Sequence, residues 1–257
     1  MSKFATFVFV SDTHGDMIDL AAEAKFFEWV SDFSPQHRIH GGDFVDLRPI
    51  RKGASTEEKA ECMEDDFIAA QKFLERYKPD TVLLGNHDAR LWEALDSNNG
   101  MIASYAQRLL GLLQGDKFSR EPVIKKGSVF HNCGVKRVLP YDVRRGVYTL
   151  GSLNMLHGFS CGMYPARPLV DAYGPNAICG HVHRFNHYRS RTHRGGQGMT
   201  APCMCKLDAP YASRNIATLA WENGWIYGVV NTRTGHVEFW SVREQGGVWL
   251  DPRLSWL

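Results

Sequence analysis

Long apolar runs are missing from the sequence. No stretch of its 257 residues approaches the roughly 18 consecutive apolar residues that a membrane-spanning helix needs. The apolar run near the start, residues 4–10, is short, has no small-residue cleavage site after it and leads directly into polar residues. We interpret it as a first β-strand and not as a signal peptide, and we expect a cytoplasmic protein without membrane contact.

Cysteine is scarce, with six residues at positions 62, 133, 161, 179, 203 and 205. No two of them have zinc-ribbon spacing, and a chain of this length with so little cysteine does not depend on a disulfide framework. Cys203 and Cys205 form a C-x-C pair, which could bind a metal. A lone C-x-C is a weak signal, so two separate thiols are the favoured interpretation.

The formal net charge is only +2, which by itself predicts no nucleic-acid binding. The charges are unevenly distributed, because residues 55–67 are acidic whereas residues 117–145 and 184–194 are rich in lysine and arginine. Two basic segments in a nearly neutral chain would suit an anionic substrate. Solvated charges on surface loops would give the same pattern, so both interpretations stay open.

Repeats, low-complexity segments and Pro/Gly/Ser-rich linkers are also absent from the sequence, which predicts a single domain over residues 1–257. Its first third alternates between strand-like apolar runs and helical periodicity, which predicts a parallel sheet with right-handed crossovers. Ser55 and Glu58 form a capping box at the start of the second helix. The predicted elements are residues 4–10, 16–33, 38–47, 55–77 and 81–88.

Beyond residue 88 the pattern changes to helical pieces followed by short strands. Residues 89–113 are predicted to form two helical pieces, and the segment 89–150 is where we expect a cap over a functional site. Short strands are predicted within residues 128–135, 147–158 and 176–184, and a β-hairpin with an NTRTG turn within residues 225–242.

Five predicted strands end in Asp, Asn or His, and glycine adjoins four of these ends. In open α/β sheets ligands bind outside the carboxyl ends of the strands, so these side chains are expected to meet at one edge. In chain order they are Asp12, His14, Asp43, Asn86, His87, Asp88, His157, His181 and His183.

Such a collection of carboxylate oxygens and imidazole nitrogens suits divalent Mn, Fe, Zn or Co. It has too many ligands for one ion and fits two ions that share a bridging carboxylate. Two ions roughly 3.5–4 Å apart can lower the pKa of a water between them and neutralise charge on a phosphoryl group. Taken alone, Asp12 or Asp43 would be a helix cap or turn residue and His157 a core histidine, so the hypothesis depends on their joint occurrence.

Taken in order, these residues resemble the motif set of the calcineurin-like metallophosphoesterases. The motifs Asp12-x-His14, Gly42-Asp43, Gly85-Asn86-His87-Asp88, His157 and Gly180-His181-x-His183 follow the family's order across residues 7–185. The resemblance implies an α/β fold: a four-layer α/β/β/α sandwich in which two mixed β-sheets are flanked by helices. It also implies a dinuclear metal-dependent phosphoester hydrolase.

The resemblance further implies a role for each motif residue. One ion would be held by Asp12, His14 and His183, the other by Asn86, His157 and His181, and both by Asp43. His87 would face the substrate as general acid or as stabiliser of phosphoryl charge, and Asp88 would orient it. The cofactors would be two divalent metal ions, with Mn²⁺ expected first and Fe, Zn, Co or Ni as alternatives.

Residues beside these motifs bear on the substrate. The Ser/Thr protein phosphatases of this superfamily have arginine right after G-D-x-V-D and before G-N-H-E, whereas this chain has Leu47 and Leu84 there. Its G-N-H-D form more closely resembles the phosphodiesterase and nuclease branches. We therefore expect hydrolysis of a phosphodiester, in a nucleotide or a nucleic acid, with a phosphomonoesterase or protein phosphatase as the alternative. The candidate phosphate contacts are Arg48, Arg90 and Arg184.

A non-catalytic metal-binding scaffold is the alternative from another class, although such a protein would be expected to have lost His87. Asp46 is interpreted as a turn residue, with a place behind the metal ligands as the alternative. The oligomeric state is not predicted. Six histidines match no motif and are interpreted as structural or surface residues: His37, His40, His131, His187, His193 and His236.

Overall fold

Two β-sheets face each other in the computed structural model of the chain, which describes residues 3–191, 193, 195–208 and 216–253. The strands are β1 Phe4–Val10, β2 His37–His40, β3 Thr81–Leu83, β4 Arg137–Leu139, β5 Tyr148–Leu150, β6 Leu153–Leu156, β7 Asn176–Cys179, β8 Asn186–Arg189, β9 Gln197–Thr200, β10 Gly224–Asn231, β11 Val237–Gln245 and β12 Val248–Leu250. The helices are α1 Leu20–Phe33, α2 Thr56–Lys59, α3 Met63–Tyr77, α4 Asn86–Glu93, α5 Gly100–Gln114, α6 Val129–Asn132 and α7 Ala166–Tyr173.

Both sheets are mixed, as predicted. The first has the order β12-β11-β10-β1-β2-β3-β4, in which β1 to β4 are parallel and β10 to β12 antiparallel. The second has the order β5-β6-β7-β9-β8, with β6, β7 and β9 parallel. The carboxyl ends of β1, β2 and β3 therefore share one edge of the first sheet, and those of β6 and β7 share one edge of the second.

Strand β1 is buried on both faces, which explains its unbroken apolar sequence. Phe7 and Phe9 face the second sheet and pack in one cluster with Met155 of β6. Val8 and Val10 point the other way, into a cluster with α1 and α3. On the far side of the second sheet, Leu169 of α7 packs on β6 and β7. The layers are therefore helix, sheet, sheet and helix.

Helix α1 packs on the first sheet, and a capping residue lies at each of its ends. Asp19 caps its start by accepting hydrogen bonds from the amides of Ala21 and Ala22. One side of the helix buries Phe26 and Trp29 against β1 and β10. Ser34 then adopts a left-handed conformation, with φ of 48°, and ends the helix.

The predicted helix from Ser55 to Tyr77 is wrong in its continuity, because it is two helices. The capping box of Ser55 and Glu58 forms, but α2 is a single turn and α3 begins at Met63. The backbone of Cys62 is extended between the two helices, and the Glu61 side chain forms an ion pair with Arg48.

Residues 128–135 were predicted as a strand and instead contain the one-turn helix α6. Ser128 accepts a hydrogen bond from the amide of His131 and caps the turn. The turn buries Val129 and Phe130 in a cluster shared with α3 and α5, so burial overrides the strand-like composition.

The two helical pieces predicted after residue 88 are confirmed as α4 and α5, but the strand predicted over residues 81–88 ends at Leu83, and α4 already begins at Asn86. Helix α5 buries Leu109 and Leu113 in the same cluster as Leu74 of α3, and β4 extends the first sheet. Much of the segment 89–150 is therefore built into the layers; its role as a cap and the single-domain assignment stay predictions. The hairpin of β10 and β11 is confirmed. Within the described ranges, none of the helices combines the length and apolarity needed to cross a bilayer.

Candidate metal centre

The five polar strand ends meet, and their backbone there is unusual. Asp12, His14, Asp43, His181 and His183 all have positive φ, between 50° and 71°. Residues other than glycine seldom adopt this left-handed conformation, and each occurrence costs free energy that surrounding contacts must offset. Backbone strain is thus concentrated at the predicted ligands, as is common at functional sites.

Backbone hydrogen bonds hold the loops after β1 and β2 side by side. The amide of Asp12 donates to the carbonyl oxygen of Gly42 at 2.9 Å, and that of His14 to Asp43 at 3.0 Å. The loop after β7 joins them, because the amide of His181 donates to Oδ2 of Asp12 at 2.9 Å. Residues from both sheets are therefore fixed in one cluster.

The first half of the cluster contains Asp12, His14 and His183, all almost fully buried. Nε2 of His14 lies 3.1 Å from Nε2 of His183, and the latter lies 3.3 Å from Oδ1 of Asp12. Two imidazole nitrogens facing each other at this distance require a proton or a cation between them. This donor set fits a divalent ion.

The second half contains Asp43, Asn86, His157 and His181. Nε2 of His157 lies 3.2 Å from both Oδ2 of Asp43 and Oδ1 of Asn86. Nδ1 of His157 lies 2.9 Å from the carbonyl oxygen of Gly41, to which it donates, so Nε2 is the nitrogen that would coordinate a metal ion in place of a proton. Asp43, His157 and His181 offer ligand atoms within 4.8 Å of one another, and Asp43 also belongs to such a group with His14 and His87. Asp43 thus lies where a bridging ligand would be needed.

Electrostatics favours positive charge in the cluster. Burial alone would lower the pKa of His157 and His183, but the carboxylates of Asp43 and Asp12 beside them raise both pKa values to about 9. Burial lowers the pKa of His181 to about 4, so its ring is neutral and free to coordinate. Protons on two histidines here balance the carboxylate charge that metal ions would balance in their place.

His87 lies at the rim, and the prediction that Asp88 orients it is wrong. Asp88 is fully buried and uses both carboxylate oxygens to accept four backbone amides, those of Asp43, Phe44, Val45 and Gly85. Asp46 contacts the His87 ring instead, with Oδ1 only 2.6 Å from Nδ1 of His87. Asp46 also lies 3.5 Å from Nδ1 of His14, so the interpretation of it as a plain turn residue is wrong too. Its G-D-x-x-D spacing from Asp43 is the signal that could have identified it.

The three candidate arginines differ in their surroundings. Arg48 points inward and pairs with Asp16, Asp46 and Glu61, so the prediction that it contacts phosphate is wrong. Arg184 donates to the carbonyl oxygen of Gly162 at 2.6 Å. Arg90 is half-buried beside the cluster: its Nη1 donates to the carbonyl oxygen of Asp46 at 2.9 Å and lies 3.0 Å from Nδ1 of His87.

Two thiols and one aromatic ring beside the histidines were not anticipated. Sγ of Cys161 lies 3.1 Å from Nε2 of His181, and Sγ of Cys205 lies 3.8 Å from Nδ1 of His183. The Trp221 ring lies 4.3 Å from that of His183, centroid to centroid. Cys205 belongs to the C-x-C pair of the sequence and lies in one possible ligand group with His14 and His183, whereas no motif marks Cys161 or Trp221, which the fold brings from distant segments.

A sequence profile of the calcineurin-like phosphoesterases matches residues 5–185, well over half of the chain. The chain therefore belongs to the calcineurin-like phosphoesterase family, which implies a dinuclear centre of divalent metal ions. No curated protein sequence matches the chain.

Three solved structures illustrate how distant the structural similarities are. A phosphatase from Mycoplasma pneumoniae is 14% identical with a TM-score of 0.45, over 100% of this chain and 98% of that one. A dimetal phosphatase from Danio rerio is 13% identical with a TM-score of 0.39, over 94% and 99%. A Vps29 single mutant from Entamoeba histolytica is 10% identical with a TM-score of 0.39, over 93% and 99%. At these levels none of them bears on the substrate of this chain.

Proposed function

We propose that this protein is a dinuclear metal-dependent phosphodiesterase. Asp12, His14 and His183 would hold one ion and Asn86, His157 and His181 the other, with Asp43 shared. When bound, the two ions would activate water and neutralise phosphoryl charge. Mn²⁺ is the ion that we expect first.

His87 is proposed as the general acid. Its Nδ1 is engaged by Asp46, which leaves Nε2 as the atom that can give a proton to the leaving oxygen. Nε2 lies 3.9 Å from Oδ2 of Asp43, so it faces the metal cluster. Arg90, one helical turn further along α4, would contact a non-bridging phosphate oxygen.

We favour a phosphodiester over a phosphomonoester as the substrate because Arg48 points inward. A phosphomonoester binds as a dianion near neutral pH and gains from several cations, whereas a diester carries one negative charge. Here three carboxylates neutralise Arg48, whereas Arg184 and Arg90 each donate to a backbone carbonyl oxygen, which leaves their charge in place. Arg90 remains beside His87, which is enough for a monoanion.

A nucleic acid is a less favoured substrate than a small diester. Within the basic segment 117–145, Lys125 lies 3.4 Å from Asp116, Arg145 lies 3.0 Å from Glu121, and Arg120 pairs with Asp96. These pairs reduce the charge available to follow a phosphate backbone. In the segment 184–194, Arg194 lies outside the described residues.

The test compares bis-p-nitrophenyl phosphate with p-nitrophenyl phosphate, after EDTA treatment and with Mn²⁺ restored. The proposal requires Mn²⁺-dependent turnover with a higher kcat/KM for the diester. Preference for the monoester would favour a phosphomonoesterase, and two bound ions without turnover would favour a scaffold. Single-stranded DNA assayed at two salt concentrations then decides the nuclease alternative, because backbone binding weakens steeply with salt.

A further inference from the structure

His40, the last residue of β2, is completely buried although it belongs to no motif of the site. Its Nδ1 accepts a hydrogen bond from the amide of Gly42 at 3.2 Å, and its Nε2 lies 3.3 Å from Oγ1 of Thr13. Because an amide can only donate, Nδ1 carries no proton, and the ring therefore has its single proton on Nε2. Nε2 donates this proton to the hydroxyl oxygen of Thr13.

The two partners of His40 belong to two different ligand loops. Thr13 lies between Asp12 and His14, and Gly42 directly precedes Asp43. The Thr13 hydroxyl accepts from His40 and can donate onward to the carbonyl oxygen of Phe44 at 3.5 Å. One buried imidazole thus connects the loop after β1 to the loop after β2.

Packing alone does not account for a histidine at this position. The ring lies against Phe44 and Phe73, with centroids 6.0 Å and 5.8 Å away, and a leucine would fill such a space without desolvating a polar ring. Both ring nitrogens have partners, as buried polar groups generally must. The histidine is therefore explained by what it connects.

We propose that His40 is a positioning residue of the metal centre that acts through Thr13 to fix the spacing between the Asp12–His14 loop and Asp43. The inference rests on the dinuclear centre proposed above. Since the three ligands have strained left-handed backbones, their loops need an external restraint. A shift of Asp43 relative to Asp12 would change the spacing of the two proposed metal positions, because Asp43 would be a ligand of both.

The experiment measures Mn²⁺ affinity by calorimetry and the exchange-coupled Mn²⁺ pair by electron paramagnetic resonance. Thr13→Val removes the hydroxyl at nearly constant volume, and His40→Leu removes both ring hydrogen bonds. Both variants should weaken Mn²⁺ binding about 10–100-fold, as is typical of groups behind metal ligands, and should diminish the coupled signal. Thr13→Ser keeps the hydroxyl and should retain wild-type affinity and signal. His40→Gln, which can still donate towards Thr13, should fall between.

Tyr77→Phe is the matched control for general loss of stability. The Tyr77 hydroxyl is fully buried and donates at 3.1 Å to the carbonyl oxygen of Ile39, next to His40, but it contacts no ligand loop. This variant should lower Tm without changing Mn²⁺ affinity. Wild-type affinity and coupled signal in Thr13→Val would overturn the inference even if His40→Leu fails to fold. A wild-type chain that binds no coupled pair would overturn the proposed centre itself, and this inference with it.

Discussion

Oδ1 of Asp46 lies 2.6 Å from Nδ1 of His87, and Oδ2 of the same carboxylate accepts a hydrogen bond from Arg48 at 3.0 Å. Asp46 is 1% exposed, so water competes little for either contact. Asp46 therefore fixes the Nδ1 edge of the His87 ring, and Nε2 points towards the cluster. This arrangement makes the contribution of His87 measurable separately from metal binding.

We expect His87→Ala to keep both metal ions and lose turnover in a way that depends on the leaving group. General acid catalysis typically contributes about 10²–10⁴-fold, and the loss should approach this for a diester with a poorly departing alkoxide. The loss should be much smaller for p-nitrophenolate, which departs without a proton. The measurement is kcat for both substrates, with Mn²⁺ content by elemental analysis. Equal losses for the two leaving groups would contradict the acid role.

Asp46→Asn should reproduce this pattern in weaker form. The amide keeps the size of the side chain but removes the charge that holds the Nδ1 proton of His87. Asp88→Asn is the comparison, because Asp88 touches backbone amides and not the His87 ring. If Asp88→Asn alone showed the leaving-group dependence, the assignment of Asp46 would be wrong.

Asp43→Asn should reduce the occupancy of both metal positions. Asp43 lies 3.2 Å from Nε2 of His157 and 4.0 Å from Nε2 of His14, so its carboxylate faces both halves of the cluster. An amide supplies one neutral oxygen in place of two that share a negative charge. Elemental analysis after gel filtration gives the ion count, and His181→Asn is the control expected to lose one ion. A stable pair of ions in Asp43→Asn would contradict the bridging role.

Asp88→Ala should destabilise the fold by at least about 3 kcal/mol, because it leaves four buried amides without their shared acceptor. The effect should be seen in urea unfolding of the metal-free protein, where loss of metal cannot explain it. Asp142→Ala is a suitable control, since Asp142 accepts the amides of Arg144 and Arg145 on an exposed loop. Similar losses in the two variants would argue against the buried role of Asp88.

The strand ends could be predicted from sequence because apolar runs, glycines and ligand-type residues coincide there. The partner of His87 could not be predicted in this way. Asp88 is its neighbour in sequence, but the carboxylate that contacts the ring belongs to Asp46, in the turn after β2. The inward direction of the Arg48 side chain could not be predicted either, because its partners Asp16 and Glu61 come from separate segments of the chain. At residues 128–135, a capped turn with two buried side chains outweighed β-like composition. Local pattern thus located the proposed ligands, and tertiary contacts decided which neighbours support them.

Gly85→Ala should abolish metal binding without any change of charge. A Cβ there would lie 2.1 Å from Oδ1 and 2.7 Å from the backbone nitrogen of Asp43, so the methyl group must displace the shared carboxylate. Gly100→Ala is the matched control, because a Cβ at that position meets nothing within 4 Å and alanine favours the helix. Calorimetry with Mn²⁺ should show no binding in the first variant and wild-type binding in the second. Intact binding in Gly85→Ala would mean that Asp43 is not held where its contacts indicate.

We expect the free energy of unfolding of the metal-free protein to fall as the pH rises, because of the titration of Asp66. Its carboxyl accepts the amides of Asp46 and Leu47, and burial, with the carboxylates of Asp46 and Asp16, raises its pKa from 3.8 to about 6. Between these values the folded chain binds more protons than the unfolded chain. The stability that Asp66 contributes is therefore complete below about pH 4 and is lost as the pH rises through about 6.

The isosteric Asp66→Asn variant removes this titration, so the wild-type advantage in free energy of unfolding should shrink steadily from about pH 4 to about pH 7. Urea unfolding in EDTA measures it. Asp142→Asn should show no such change over this range, because the amides of Arg145 and Arg144 lower the pKa of Asp142 below 3.8 and its stabilising effect is lost only at lower pH. If the difference in free energy of unfolding between the wild type and Asp66→Asn instead grew with pH, folding would not raise the pKa of Asp66. That result would contradict the prediction.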